Sequence, residues 1–298
     1  FMISYHFIYG EHMATIHALE LFISVYTTRN ITETAKQYYC SQPSVSRCIK
    51  DLEEEYHITL FERYHHKLLP TPSADILYTY ALRVINSYSS LQQAMLTHNE
   101  KIRIGSTVTI SNTLLPKYIK QYSKQYPSIR IEVIVSNGES IYQDLLHNAI
   151  DIAFIENTIS SDEVVAIPFY QDELVLLVAN DHPFASQKEI PLSSLNGMPF
   201  LHREQGSALR QYLDAFFEKN HIHVDTLWQS RSTLALIHAV ENGFGITILP
   251  KNMCEKEIET HTITQVNIAS HKLIRPYYLA YPKEKKLTDN LVNFIHLF

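Results

Sequence analysis

Apolar positions in the N-terminal part of the chain recur with a helical period. Leu19, Phe22, Ile23 and Tyr26 fall at i, i+3, i+4 and i+7, which predicts a helix over 14–28. Arg29-Asn30-Ile31 breaks the pattern, and Asn30 or Thr32 can cap a short helix over 33–39. Ser41 is a good N-cap, and Pro43 is tolerated in a first turn because its missing N–H would be unsatisfied anyway. The next helix therefore runs over 42–56, with Val45, Cys48, Ile49 and Leu52 on its apolar face. Its opposite face carries Ser44, Ser46, Arg47 and Lys50. Residues 58–61 and 64–70 read as a hairpin, or wing, with His65, His66 and Lys67 at the tip. A long helix over 73–98 follows. Leu77, Ala81, Val84, Tyr88, Leu91 and Met95 are spaced 4, 3, 4, 3, 4 along it, the narrow seam of a coiled coil. Such a seam needs a partner, and self-association is preferred over packing onto its own chain.

Near Glu100 the chain changes character, and strand-like runs begin to alternate with helical stretches. The pattern predicts a strand over 101–105, a loop over 106–111, and a helix through Tyr126. A strand over 129–135, a helix to about His147 and a strand over 151–155 complete a β-α-β-α-β unit. A second α/β lobe is expected over 167–269. The organisation expected is thus a helical domain with a hairpin at 1–72, a linker helix at 73–99 and an α/β domain at 100–298. That domain comprises one Rossmann-like subdomain over 100–166 and 270–298 and another over 167–269.

These placements carry chemistry. Two helices joined by a short turn, the second presenting small polar and cationic side chains, form the arrangement of a helix-turn-helix. Arg47 can make two parallel hydrogen bonds to guanine and Gln42 the same to adenine, while Ser44 and Ser46 keep the helix slim. A three-helix bundle with solvated faces fits the same spacing. In the second half, open α/β sheets bind ligands beyond the carboxyl ends of their strands. Ser106, Thr107, Ser136 and Asn137 sit at such ends beside helix N-termini, a setting suited to an anion. His202, Arg203, Gln205 and Gly206 can close a cleft from the second lobe, with Arg203 as the cation. Gly243 and Gly245 flank a turn and read as backbone geometry.

Composition narrows the field. The chain has 298 residues, 45% of them apolar, and a net charge of −6. That excludes a uniformly basic coat on nucleic acid. Residues 1–72 hold six basic and eight acidic side chains, so few phosphate contacts and a reliance on dimerisation are expected. Only seven glycines occur, none between Gly10 and Gly105. The three cysteines have no C-x-x-C spacing, which fits a reducing cytoplasm. No H-E-x-x-H, P-loop or G-x-S-x-G motif occurs, so neither a metal, a cofactor nor catalysis is expected. The longest apolar run, 174–179, is far short of a membrane span. Residues 1–13 lack the marks of a signal peptide, and Met13 offers a natural start.

Particular residues carry a family resemblance. Ser41-Gln42-Pro43-Ser44-Val45-Ser46-Arg47, Ile49-Lys50-Asp51-Leu52-Glu53, Leu60-Phe61-Glu62-Arg63 and Thr71-Pro72 resemble the signature of LysR-type transcriptional regulators. Ala35-Lys36 and Leu19–Phe22 match as well. So do Ile102-Arg103-Ile104-Gly105, Asp151–Ile155 and Gly243-Phe244-Gly245-Ile246 with Leu249-Pro250, and the likeness covers almost the whole chain. The resemblance implies a winged helix-turn-helix, a dimerising linker helix and a two-subdomain effector domain like periplasmic binding proteins. It also implies homodimers assembling into tetramers, double-stranded promoter DNA as partner and a small-molecule inducer. Gln42, Pro43, Ser46 and Arg47 would be base-proximal. Three departures stand out. His57 occupies a position where the family commonly has glycine, so it must adopt a left-handed conformation or end the helix otherwise. The wing carries His65-His66-Lys67 in place of glycine and arginine; either these are ordinary exposed histidines, or DNA affinity rises as the imidazoles protonate. The effector half holds only Cys254, without the partner a peroxide-sensing disulfide would need. A small-molecule binder without a DNA role and an enzyme using the cleft are the rival readings. Residues 14–72 separate the first from a regulator, since a pure binder has no use for them.

Overall fold

The computed structural model describes residues 14–64, 67–96, 101–156 and 162–298. The chain forms two compact units, one centred on the N-terminal helices and wing, the other on the α/β elements.

In the first unit, α1 (Ile16–Thr28) is capped by Thr15, which accepts the Ala18 N–H at 3.1 Å. Asn30 caps α2 (Ile31–Gln37) and Ser41 caps α3 (Gln42–Tyr56), as the capping residues suggest. The wing is β1 (Phe61–Tyr64) paired antiparallel with β2 (Lys67–Pro70), Tyr64 opposite Lys67. His65 and His66, to which the pH-dependent wing was assigned, lie outside the described residues. α4 (Pro72–Leu96) opens with proline at a position where no N–H is needed. Leu19, Phe22, Val25, Val45, Ile49, Leu52, Leu60 and Ala74 form the core. The buried arc of α1 is rotated from the expected stripe. Leu21, Ser24 and Val25 are buried, while Ile23 and Tyr26 are only half-buried. A polar residue in this core costs little because Ser24 is satisfied. Its hydroxyl lies 3.0 Å from that of Thr34 and donates to Gln37 Oε1 at 2.9 Å.

The acidic run at the end of α3 is structural. Glu53 Oε1 accepts the N–H groups of Leu60 at 2.7 Å and Phe61 at 3.3 Å, fixing the start of the wing. Glu54 pairs with Lys50, and Glu55 accepts the Ala14 N–H. His57 does take the left-handed conformation, with φ 54 and ψ 41. Glycine would bear that geometry without the Cβ clash. His57→Gly is therefore expected to stabilise the unit by about 0.5–1 kcal/mol, read as roughly two- to fivefold slower hydrogen exchange at α3 amides. Unchanged or faster exchange would show that the imidazole makes contacts that outweigh the strain.

The second unit is built on one eight-stranded sheet, in the order Arg130–Ser136, Lys101–Thr107, Ile152–Ile155, Leu273–Pro282, Val164–Val178, Thr264–Ile268 and Glu189–Ile190, with Thr247–Pro250 also paired to Val164–Val178. β3 (Lys101–Thr107) lies between β4 (Arg130–Ser136) and β5 (Ile152–Ile155), parallel to both. α5 (Val108–Thr113), α6 (Leu115–Gln125) and α7 (Gly138–Leu146) connect them, completing the expected β-α-β-α-β unit. The loop expected over 106–111 is absent. Ser106 and Thr107 continue the parallel ladder opposite Val135 and Ser136, and α5 begins at once. β6 (Val164–Val178) and β12 (Leu273–Pro282) are long antiparallel strands. β7 (Glu189–Ile190), β8 (Pro199–Arg203), α8 (Ala208–Lys219), β9 (Asp225–Ser230) and α9 (Thr233–Glu241) follow β6. β10 (Thr247–Pro250), α10 (Glu255–Glu259) and β11 (Thr264–Ile268) precede β12, and α11 (Asp289–Ile295) follows it.

Two lobes result, and their cores meet inside the long strands. Phe169, Tyr170 and Tyr277 pack with Ile104 and Phe154 in one lobe; Leu174 and Leu273 pack with Phe200 and Leu236 in the other. Gly245 makes the second lobe possible where β8 meets the start of β10. A Cβ there would come within 2.5 Å of the Pro199 carbonyl oxygen. Its role is backbone geometry, as its flanking position suggests.

Candidate functional site

Two surfaces gather the candidate residues, one in each unit. On α3, Val45, Ile49 and Leu52 face the core, which turns Gln42, Pro43, Ser44, Arg47 and Lys50 outward; Ser46 is half-buried. Ser44 is partly committed, since its N–H donates to Ser41 Oγ at 3.3 Å and the two hydroxyls lie 2.8 Å apart. Lys50 pairs with Glu54 at 3.0 Å, but both side chains are largely in water, so the pair is weak and exchangeable. Arg47 is exposed and makes no ion pair among the described residues. A cationic fork flanked by amide and small hydroxyl side chains can read base edges from a helix that fits a major groove. Lys67 opens β2 at the wing.

The seam of α4 divides. Ala81 is buried and Leu77 half-buried in the core of their own unit. Val84, Tyr88, Leu91 and Met95 remain 40–70% exposed. The upper part of the stripe thus packs on its own chain, and the lower part stays open.

In the α/β unit a cavity of about 50 Å³ lies where the ends of β3, β4 and β5 face the N-terminus of α8. Thr107, Ser136, Asn137 and Arg203 of the expected set line it. Ser106 does not; it is fully buried and its hydroxyl donates to the Thr107 carbonyl at 3.2 Å. His202 lies instead against the rings of Phe200 and Phe217, 4.4 and 6.2 Å between centroids. Burial, helped by Arg210, pushes its pKa down to about 4, so it is neutral at physiological pH. Gln205 is exposed and outside the lining. Asn137 also caps α7, accepting the Ser140 N–H at 2.8 Å, so it serves backbone and cleft together.

The lining also includes polar residues outside the expected set: Thr109, Glu156, Glu204 and Ser207. Glu204 changes the electrostatics. Its carboxylate takes Arg203 Nε at 2.8 Å and Nη2 at 3.1 Å, while Nη1 donates to Thr233 at 3.2 Å. The expected cation is therefore already paired. Glu156 follows β5 and is 5% exposed, and among the described residues neither its Oε2 nor Thr107 Oγ1 has a hydrogen-bond partner. Deeper in the sheet Arg275 donates to Asp172 at 2.8 Å, both nearly inaccessible. Burial works against the Arg275 charge, but the carboxylates of Glu156 and Asp172 more than offset it and raise its pKa. Burial, ahead of the pull of Arg275, holds the Asp172 carboxyl above the usual range. Cys254 is buried, its thiol pushed up to about 12, which leaves it unreactive. Among the described residues no three metal-binding side chains converge, and no helix is long and apolar enough to cross a membrane.

Comparison with known proteins matches both units. Residues 16–75 match the profile of the bacterial regulatory helix-turn-helix protein, lysR family, and residues 97–298 that of the LysR substrate binding domain. The HTH-type transcriptional regulator CysL of Bacillus subtilis (strain 168) is 30% identical over 281 residues, covering 93% of this chain and 94% of that protein. The Synechocystis PCC6803 CcmR regulatory domain, solved in complex with 2-PG, has a TM-score of 0.62 at 24% identity over 66% of this chain and 95% of its own. The Corynebacterium glutamicum OxyR C206 mutant has a TM-score of 0.60 at 21% identity, over 97% and 92%. The last two show the shared fold.

Proposed function

The chain belongs to the LysR family of transcriptional regulators, and from that premise we propose how its parts work. The protein is a cytoplasmic regulator, without catalytic activity, that binds promoter DNA as a homodimer pairing into a tetramer. Gln42, Ser46 and Arg47 read bases in the major groove, while Lys50 and the wing, with His66 and Lys67, contact the backbone. A small, anionic metabolite in the cleft biases the two lobes, and so the dimer–dimer geometry and the bend of the DNA. Arg47, exposed on a slim helix face and in no ion pair among the described residues, carries this reading. The cleft supports the effector part through the Thr107 hydroxyl at a strand end, which has no partner among the described residues.

Selection of the bound site from random DNA, followed by titration across salt, tests it. Arg47→Ala is expected to weaken specific binding about 10- to 100-fold and relax one position of the site. Binding without sequence preference in the wild type would refute the regulator reading. For the effector, Thr107→Val is expected to abolish the metabolite response of a promoter reporter while DNA binding persists. An intact response would remove the cleft from the mechanism.

A further inference from the structure

The cleft offers more than sites for negative charge, and its ligand class follows from the mismatch; this rests on the effector reading above. Two helices of sufficient length begin at its walls. α7 starts at Gly138 and has nine residues; α8 starts at Ala208 and has twelve. Asn137 and Ser207 each take one first-turn N–H, those of Ser140 and Arg210; the N–H groups before them have no acceptor within the helix, so both ends still call for oxygens. Arg203 adds little free charge, because Glu204 holds it by two hydrogen bonds.

Against these donors stands Glu156. It lines the same cavity, is 5% exposed, and its Oε2 has no partner among the described residues. A buried carboxylate oxygen without a donor is costly, and a carboxylate accepts only. Thr107 Oγ1, equally buried and unpartnered among the described residues, can donate or accept. An anion carrying acceptors alone would set its oxygens against the Glu156 carboxylate. The space is small: about 50 Å³ is room for roughly four or five non-hydrogen atoms.

We infer that the cleft recognises a small ligand that turns acceptor oxygens to the N-termini of α7 and α8 and donates one O–H or N–H to Glu156. Hydroxy acids, amino acids and protonated inorganic oxyanions share this chemistry; simple carboxylates and fully deprotonated oxyanions lack the donor. A site built around a buried acceptor rejects a ligand without the matching donor far more strongly than a site of mere shape.

Matched probes test it on the full chain. Glycolate is compared with acetate, and hydrogen phosphate with sulfate, by calorimetric titration at about pH 7.5. The donor-bearing member of at least one pair is expected to bind ten times or more tighter than its match. Which pair responds separates an organic acid from an inorganic oxyanion. Glu156→Gln is expected to erase that preference, because an amide N–H can serve acetate or sulfate. The wild-type comparison decides the matter even if the variant fails to fold. Equal affinity within both pairs overturns the inference and leaves the effector reading standing. So does a preference that survives Glu156→Gln. No binding of any probe also overturns it, and the effector reading is then judged separately by the Thr107→Val reporter.

Discussion

Replacing Arg275 by methionine is expected to cost the α/β domain about 3–5 kcal/mol of stability. Arg275 is 1% exposed and donates through Nε to Asp172 at 2.8 Å. It is the cation that two buried carboxylates, Asp172 and Glu156, share. A methionine fills most of the volume, so packing is conserved and the loss is electrostatic. Two carboxylates then remain in the interior without compensation, the case in which breaking a buried pair costs most. Adding Asp172→Asn should recover most of the loss, since one charge is then removed with its partner. Urea unfolding, followed by the fluorescence of Trp228 in β9, measures both variants. The pH dependence has a definite sign. Asp172 already titrates above the usual carboxylate range, and without Arg275 it moves further up. A group whose pKa is raised by folding stabilises the native state when protonated and loses that contribution as pH rises. The deficit of Arg275→Met should therefore shrink as pH falls toward the usual carboxylate range. A midpoint equal to wild type would mean that the carboxylates are compensated elsewhere.

Leu91→Glu is expected to weaken self-association by at least about a hundredfold and to carry operator affinity down with it. Only the lower seam of α4 is open to a partner, because Leu77 and Ala81 are already used by the winged unit. Leu91 sits within the open stretch and is 55% exposed. Burying one such side chain is worth about 1.5–3 kcal/mol, and in a two-fold interface the loss is counted twice. Like charges brought together across the seam add to it. The winged unit, with six basic and eight acidic residues over 1–72, has little non-specific attraction for DNA with which to compensate. Sedimentation equilibrium and operator titration read the two effects. A variant that associates as tightly as wild type would show that this stripe is not the dimer contact.

Much of the winged unit was legible because its signals are local. Ser41, Asn30 and the apolar spacing of α3 act within one or two turns, so the bounds of α3 could be read directly; α2 starts two residues before the expected position, because Asn30 and not Thr32 is its cap. Ser24 was not legible, since a serine enters a core only when distant partners satisfy it, and Thr34 and Gln37 lie on another helix. Glu53 looked like one member of a surface acidic run; its role depends on where the wing returns. In the α/β domain the parallel unit was visible, but the crossing of β6 and β12 was not. That pairing joins residues about a hundred positions apart, beyond any periodicity. The cleft was half legible. Thr107, Ser136 and Asn137 announce themselves at strand ends, whereas Glu156 is one carboxylate after an apolar strand and fits no motif. Glu204 stood beside Arg203 in plain view, yet only the fold shows that it neutralises it.

The place of β12 in the sheet has a consequence for the order of synthesis. Among the described residues it is the strand through which β4-β3-β5 join β6, β11 and β7. A nascent chain can therefore complete the winged unit early, from contacts close in sequence. The two halves of the second domain must wait, with strand edges bare, until Leu273–Pro282 has left the ribosome. A message broken off before Leu273 would leave a DNA reader that can find its sites but has no joined sheet behind the cleft through which to be told when to act.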